Sequence, residues 1–174
     1  PRWSQCILTM LEKPGKGPHL EKLRIIQLVE SDLNFVLGLI WGKRLGMKCQ
    51  AEKLLEPTQF ATRGQLCTSA ALTTCLFNDI HRQTREPAAM AMLDAKACFD
   101  RNLPALSIPV SQKFGVPNEA ALFLFRTLRS LQFRIRTAHG LSKKTFGTLD
   151  NPNRPLQGFG QGAAESPGLH IVTA

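Results

Sequence analysis

Two aspartates, Asp94 and Asp100, stand six positions apart in the segment Leu-Asp-Ala-Lys-Ala-Cys-Phe-Asp, residues 93–100. The apolar run 88–93 lies between Pro87 and Asp94, which predicts a buried central strand with Asp94 at its C-terminal end. A carboxylate at the end of a rigid strand suits magnesium, because this ion prefers oxygen ligands and takes them from both protein carboxylates and substrate phosphates. An aspartate that only caps a helix or forms a turn is the ordinary alternative.

A second segment that could bind a ligand reads Gly-Phe-Gly-Gln-Gly-Ala-Ala-Glu-Ser-Pro over residues 158–167. Its glycines allow a close approach of the backbone to a ligand, and Ser166 followed by Pro167 predicts the N-cap and first residue of a helix. The N-terminus of that helix can face an anion, because its first backbone N–H groups lack partners within the helix. The alternative is a glycine loop that only leads into a helix.

The elements that must hold these segments are predicted from the spacing of apolar residues. Two strands, 6–11 and 23–29, are joined by a basic tip, and Ser31 is the predicted N-cap of a helix from Asp32 to about Lys48. That helix carries one apolar stripe: Leu33, Val36, Leu37, Ile40, Trp41 and Leu45. The other predicted elements are helices over 66–82, 104–114 and 118–131 and a strand over 132–137. With 174 residues, 43% of them hydrophobic, the chain is predicted to form one α+β domain over 1–174.

The charge of the chain favours a polyanionic partner. Lys and Arg number 22 against 13 Asp and Glu, which gives a net charge of +9. No acidic residue occurs between Glu119 and Asp150, whereas six basic residues do: Arg126, Arg129, Arg134, Arg136, Lys143 and Lys144. We expect these to form a surface of one sign that binds nucleic acid, and a solvated helix face followed by a solvated strand is the alternative.

The pattern of cysteines and the length of the apolar runs indicate the cellular compartment. The 5 cysteines form no Cys-x-x-Cys pair, so neither a disulfide framework nor a zinc site is predicted, and a reducing compartment fits best. The longest apolar run, 35–41, is far shorter than the roughly 20 residues of a membrane span. No secretory signal follows the basic N-terminus. The predicted location is intracellular, nuclear or cytoplasmic, without a membrane partner.

Taken in order, four segments of the chain resemble those of reverse transcriptases, especially those of retrotransposons without long terminal repeats. Residues 11–16 with 22–28 resemble the fingers hairpin, and 59–64 resemble the loop before the next fingers helix. Residues 94–100 resemble motif A, and 160–162 with Ser166 and Pro167 resemble motif B. The resemblance extends from end to end and implies right-hand polymerase fingers and a partial palm.

The resemblance also implies roles for individual residues. Asp94 and the backbone carbonyl of Ala95 would bind catalytic Mg²⁺, two ions in the complete enzyme, with Mn²⁺ as a substitute. Phe99 takes the steric-gate position, where burying a ribose 2′-hydroxyl without a partner costs roughly 1–3 kcal/mol and deoxynucleotides are therefore preferred. A core aromatic in a strand-to-helix turn is the alternative for Phe99, and both can hold.

The remaining implied roles concern the nucleotide. Arg24 would hold the triphosphate with its planar guanidinium, and Lys22 is a weaker candidate for the same role. Gln161 and Gly162 would line the pocket near the incoming sugar and the templating base. Asp100 is expected to be structural.

The chain also departs from the family pattern. Glu165 stands where a small residue is usual, Gly168 weakens the start of the last helix, and Ala61 replaces a glycine. No Asp-Asp pair occurs anywhere, so motif C is missing. We expect a fragment that ends before the catalytic hairpin and thumb, lacks the C-terminal part of the same polypeptide, and is inactive alone.

Two functions and one variant remain open at this point. The preferred function is RNA-directed DNA polymerisation on an RNA template with a DNA primer and dNTPs. The alternative is a non-catalytic, basic nucleic-acid-binding remnant of a retroelement. An RNA-folding maturase would share the fold but would require a further C-terminal domain.

Overall fold

The computed structural model describes residues 2–15, 19, 22–62, 64–95, 98–147 and 158–173, and it has the mixed α+β class that the sequence predicts. The strands are β1 (Gln5–Leu11), β2 (Arg24–Val29), β3 (Gln132–Thr137), β4 (Gly140–Leu141) and β5 (Phe146–Gly147). The helices are α1 (Ser31–Leu37), a π-helical segment (Gly38–Arg44), α2 (Leu45–Ala51), α3 (Cys67–Thr84), α4 (Cys98–Arg101), α5 (Pro104–Lys113), α6 (Asn118–Ser130) and α7 (Ser166–Thr173).

The sheet has the strand order β2-β1-β3-β4, and β5 also pairs with β3. β1 and β2 form an antiparallel hairpin whose register runs from Cys6 opposite Val29 to Leu11 opposite Arg24. β3 joins β1 in parallel, because the intervening helices carry the chain back to the same end of the sheet. β2 is therefore the outer strand on one side, with its far edge open to pairing by a loop.

One continuous helical stretch, formed by α1, the π-helical segment and α2, supplies part of the core, together with α5, α6 and α7. Its buried side chains are four of the predicted stripe and one cysteine: Leu33, Leu37, Trp41, Leu45 and Cys49. The other two residues of the stripe, Val36 and Ile40, are only half-buried. Helix α7 crosses this stretch at very short range, since a Cβ on Gly168 would lie only 2.2 Å from the carbonyl oxygen of Trp41. Gly168 is thus the residue that permits the close helix contact, which explains a glycine where the family pattern has none.

The predicted helices and strands outside residues 88–93 are confirmed to within a few residues. The predicted N-cap at Ser31 is wrong, because α1 already begins at Ser31 and the preceding Glu30 makes no capping hydrogen bond. Asp32 instead accepts hydrogen bonds from the backbone N–H of Leu33 at 2.9 Å and from the indole N–H of Trp3 at 3.1 Å. Asp32, one position after the predicted cap, therefore accepts a hydrogen bond from an otherwise unpaired backbone N–H of the first turn.

The predicted buried strand over 88–93 is wrong. Residues 86–95 are irregular and solvent-exposed, with Met92 90% and Leu93 97% accessible. A strand forms only where a neighbour completes its hydrogen-bond ladder, and none of the described strands pairs with this stretch. Among the described residues, no helix is long and apolar enough to cross a membrane.

Candidate nucleotide site

Three segments that are distant in sequence meet at the glycine loop 158–162. The backbone N–H of Gln27 in β2 donates to the carbonyl of Gln161 at 2.7 Å. On the other side of the loop, the N–H of Phe159 donates to the carbonyl of Phe99 at 2.8 Å. The loop thus joins the open edge of β2, in the predicted fingers hairpin, to α4 in the predicted motif A.

The glycines of this loop are required by contacts within the protein. A Cβ on Gly160 would lie 1.6 Å from the Oε1 atom of Gln27, and one on Gly158 would lie 2.8 Å from the carbonyl oxygen of Asp100. Gly158 and Gly162 also have positive φ angles of 78° and 102°, which L side chains rarely adopt. The sequence predicted that these glycines let a ligand approach the backbone closely. At positions 158 and 160, the groups that approach closely are instead those of α4 and β2.

Phe99 lies where α4 meets the glycine loop, and Gln161 lies where the loop meets β2. The Phe99 side chain is half-buried, and its ring meets that of His170 edge-on, with centroids 5.6 Å apart. Gln161 is half-buried, and Gly162 beside it is exposed in a turn. Phe99 therefore packs as a half-buried aromatic within α4, and because residues 86–95 form no strand, it does not lie in the strand-to-helix turn that was the alternative to the steric gate.

Asp94 and Ala95 are both exposed and lie at the end of the irregular stretch, just ahead of two residues outside the described ranges. Within those ranges no group of three His, Cys, Asp or Glu side chains could hold a metal ion. Magnesium usually takes only one or two carboxylates from a protein and fills its other positions with water and phosphate oxygens. One carboxylate and one backbone carbonyl therefore fit part of such a site and do not complete it.

Arg24 and Lys22 lie at the tip end of the β1–β2 hairpin. Arg24 is the first residue of β2, opposite Leu11, and both basic side chains are exposed. The rest of the basic tip, 16–18 and 20–21, lies outside the described residues. Both cations are accessible to an anion in solvent at the start of β2. The second half of the same strand contacts Gln161.

The six basic residues of the predicted nucleic-acid surface do not share one environment. Five of them are exposed: Arg126, Arg129, Arg136, Lys143 and Lys144. Arg129 in α6 also lies with its guanidinium 5.9 Å from the ring centre of Phe125. Arg134 is half-buried and donates from Nε and Nη2 to the carbonyl of Ser142, at 3.0 and 2.8 Å. Arg134 thus holds the loop that follows β4, a structural role that differs from the expected contact with nucleic acid.

Glu165, just before α7, is the main feature whose environment the sequence did not predict. Its side chain is only 1% exposed, and Oε2 has no hydrogen-bond partner among the described residues. Burial raises the pKa of Glu165 to about 7. Burial also raises the pKa of the Cys6 thiol to about 12, and the charge of Glu165 adds to that rise. The sign of this in the sequence was that Glu165 departs from the reverse transcriptase pattern. No feature of the sequence indicated that Gln27 contacts the glycine loop.

A cavity of about 450 Å³ lies between α2 and α7, and Gly168 is one of its lining residues. Its walls are mostly apolar and include Leu45, Met47 and Ile171. None of the residues with a predicted role in nucleotide or metal binding lines it. The cavity therefore adds nothing to the predicted site.

No protein-family model matches the chain, and neither does any curated protein. The likeness to reverse transcriptases thus stands on the ordered motifs in the sequence.

Proposed function

We propose that the chain is the fingers and partial palm of an RNA-directed DNA polymerase. The observation that carries the proposal is the junction at the glycine loop, where Gln161 bonds to β2 and Phe159 bonds to Phe99. The resemblance assigns these three segments to the fingers, motif A and motif B, which jointly surround the incoming nucleotide in that family. Segments with those assignments lie in contact here although they are more than 50 residues apart in sequence.

In the proposed reaction, a DNA primer paired with an RNA template attacks the α-phosphate of a deoxynucleotide through its 3′-hydroxyl. Arg24, with Lys22, holds the triphosphate, and Gln161 and Gly162 border the sugar and the templating base. Phe99 excludes a ribose 2′-hydroxyl. Asp94 and the Ala95 carbonyl would hold magnesium, which when bound stabilises charge that develops on the phosphate oxygens.

The sequence contains no paired aspartates, so this chain alone offers one motif carboxylate where a two-ion site needs more. We therefore expect no primer extension by the purified chain with Mg²⁺ or Mn²⁺, deoxynucleotides and a primed RNA template. Incorporation that is lost in Asp94→Ala would contradict this expectation of inactivity while supporting the assignment of Asp94.

Nucleotide selection tests the proposal without requiring turnover. We expect photo-crosslinking of 8-azido-dATP to be competed by dATP at roughly 5-fold lower concentration than by ATP, because the ribose hydroxyl loses its hydrogen bonds against Phe99. Phe99→Val removes the ring and should reduce this difference. Phe146→Val, in β5 away from the glycine loop, is the matched control and should leave it unchanged.

The crosslinked peptide gives a second readout of the same experiment. Attachment within 22–27 or 158–162 supports the proposed pocket. Equal competition by dATP and ATP, or attachment confined to other parts of the chain, would reject it.

The second candidate is a non-catalytic protein that binds nucleic acid through its basic surface. The five exposed cations of the Arg126–Lys144 region favour it. In that case an RNA–DNA duplex binds with strong salt dependence, each neutralised phosphate adding about 0.9 to the slope of log affinity against log salt, and nucleotide selection is absent. The double variant Arg126→Gln/Arg129→Gln should lower this slope, while Arg82→Gln/Arg85→Gln, near the end of α3, is the matched control of equal charge.

A further inference from the structure

Cys98 and His170 lie side by side although they are 72 residues apart in sequence. Cys98 opens α4 and His170 lies in α7, and both are half-buried. The Cys98 Sγ atom is 3.3 Å from Nε2 and 3.4 Å from Nδ1 of the imidazole. The sulfur is thus almost equidistant from the two ring nitrogens, and in either neutral tautomer one of these nitrogens is a proton acceptor.

Contacts on both sides keep this pair together. The Phe99 ring, next to Cys98, packs edge-on against His170. One turn further along, Asn102 Nδ2 donates to Thr173 Oγ1 at 3.5 Å. The charged neighbours of Cys98 on α4 are Asp100 and Arg101, and His170 is the one titratable side chain of α7. The imidazole is thus the group on the opposing helix that can exchange a proton with the thiol.

The other four cysteines have different surroundings. Cys6 and Cys49 are buried, and desolvation raises the pKa of both thiols. Cys67 and Cys75 are exposed on α3, and over the stretches of chain that the structure covers neither contacts an imidazole. Cys98 alone combines partial access to solvent with an adjacent base, the arrangement that activates a nucleophilic thiol.

We propose that Cys98 and His170 form a nucleophilic thiol–imidazole pair and that Cys98 is a site of oxidation by hydroperoxides. His170 takes the thiol proton, and the thiolate attacks the terminal oxygen of the peroxide. The S–O bond forms as the O–O bond breaks, and the proton on His170 passes to the departing oxygen, which leaves as water or an alcohol. Sulfur is oxidised to the sulfenic acid and the peroxide is reduced. The inference does not depend on the polymerase proposal.

Oxidation at this position would disturb the junction at the glycine loop. The oxygen is added to a sulfur that lies 3.3 Å from the imidazole, whose ring also packs on Phe99. The carbonyl of Phe99 in turn accepts the hydrogen bond from Phe159. The pair therefore places an oxidisable sulfur next to the contact between α4 and the glycine loop.

The test is dimedone trapping of sulfenic acid in the intact chain at about pH 7 with limiting hydrogen peroxide, each cysteine being quantified by peptide mass spectrometry. The imidazole can accept the Cys98 proton as the sulfur attacks the peroxide, whereas Cys67 and Cys75 have no such base beside them among the described residues, and proton transfer to a positioned base accelerates such a step. We expect Cys98 to be labelled about tenfold faster than the more exposed Cys67 and Cys75. His170→Gln should abolish this excess, and the control His81→Gln in α3 should preserve it.

A second measurement needs no variant and so survives a failure of His170→Gln to fold. In denaturant the pair separates, and the labelling rates of Cys98 and Cys75 should become equal. Labelling of Cys98 no faster than that of Cys67 and Cys75 in the folded chain would overturn the proposal. So would an excess that persists in folded His170→Gln or in the denatured protein.

Discussion

The helical stretch from Ser31 to Ala51 and helix α3 differ in what covers their apolar side chains. In the first, Leu33, Trp41 and Cys49 are each at most 1% exposed. In α3, none of the described residues is buried, and Leu72, Leu76 and Ile80 lie in solvent at helical spacing. The irregular stretch that follows α3 is equally exposed, through to Asp94.

This contrast separates the formation of a helix from its packing. The sequence predicted both helices, the first from its apolar spacing and the second from its content of Ala, Thr and Leu, and both exist because helix formation is a local property. Packing of an apolar face contributes most of a helix's stability in a folded protein, and α3 receives little of that contribution from the described residues. Equivalent substitutions should therefore have very different effects in a helix that packs into the core and in α3.

A matched pair of leucines gives the largest expected difference. Leu124 in α6 is 0% exposed and Leu76 in α3 is 52% exposed, and both stand in the middle of a helix. Leu124→Ala removes buried methyl groups and leaves a cavity, so we expect it to lower the free energy of unfolding by about 2–5 kcal/mol. Leu76→Ala should change it by less than about 0.5 kcal/mol. Urea denaturation followed by circular dichroism measures both.

The result for Leu76→Ala tests whether α3 is less well packed than the helices of the core. A loss of comparable size in Leu76→Ala would mean that α3 buries its apolar face in solution, and the comparison of the two regions would fail.

Glu165 should give a pH-dependent effect within the packed region. Burial raises its pKa from 4.5 to about 7 in the folded protein, so the folded state holds this proton more tightly than the unfolded chain. Stability from this group is therefore greatest below about pH 4.5 and is lost as the pH rises towards 7. We expect Glu165→Gln to be more stable than the parent at about pH 8, by on the order of 3 kcal/mol, and equally stable near pH 4.5.

Denaturation midpoints across this pH range measure the difference. Glu119→Gln, which removes an exposed carboxylate from the first turn of α6, controls for the change in net charge. A Glu165→Gln variant that is no more stable than the parent at high pH would show that the carboxylate finds a compensating partner.

Two helical glycines give the smallest expected effects and opposite signs. A Cβ on Gly168 would lie 2.2 Å from the Trp41 carbonyl oxygen, whereas one on Gly46 in α2 would meet nothing within 4 Å. We expect Gly168→Ala to destabilise the protein by roughly 1–3 kcal/mol through overpacking. Gly46→Ala should stabilise it by about 0.5–1 kcal/mol, because alanine restricts the unfolded chain. Equal effects at the two positions in thermal unfolding would contradict the close contact between α7 and the π-helical segment.

The predicted site could be anticipated from sequence only in part. The motifs at Phe99 and Gln161 indicated which segments belong together, and Phe159 and Gln161 link those segments by backbone hydrogen bonds. The side-chain environments could not be anticipated, since Arg134 bonds to a loop carbonyl and Glu165 is buried through contacts between distant residues. Neither apolar periodicity nor motif spacing contains information about such contacts.

The sequence by itself determined the hairpin, the strand β3 and every helix except α4 and the π-helical form of 38–44, because apolar spacing, turn residues and local hydrogen bonding act over a few neighbouring residues. Only the tertiary structure decided that residues 88–93 lack a strand partner, that Gly168 seats α7 against Trp41, and that Cys98 meets His170. These outcomes depend on which surfaces lie opposite one another, and a hydrogen-bond ladder or a close helix contact requires both partners to be in place.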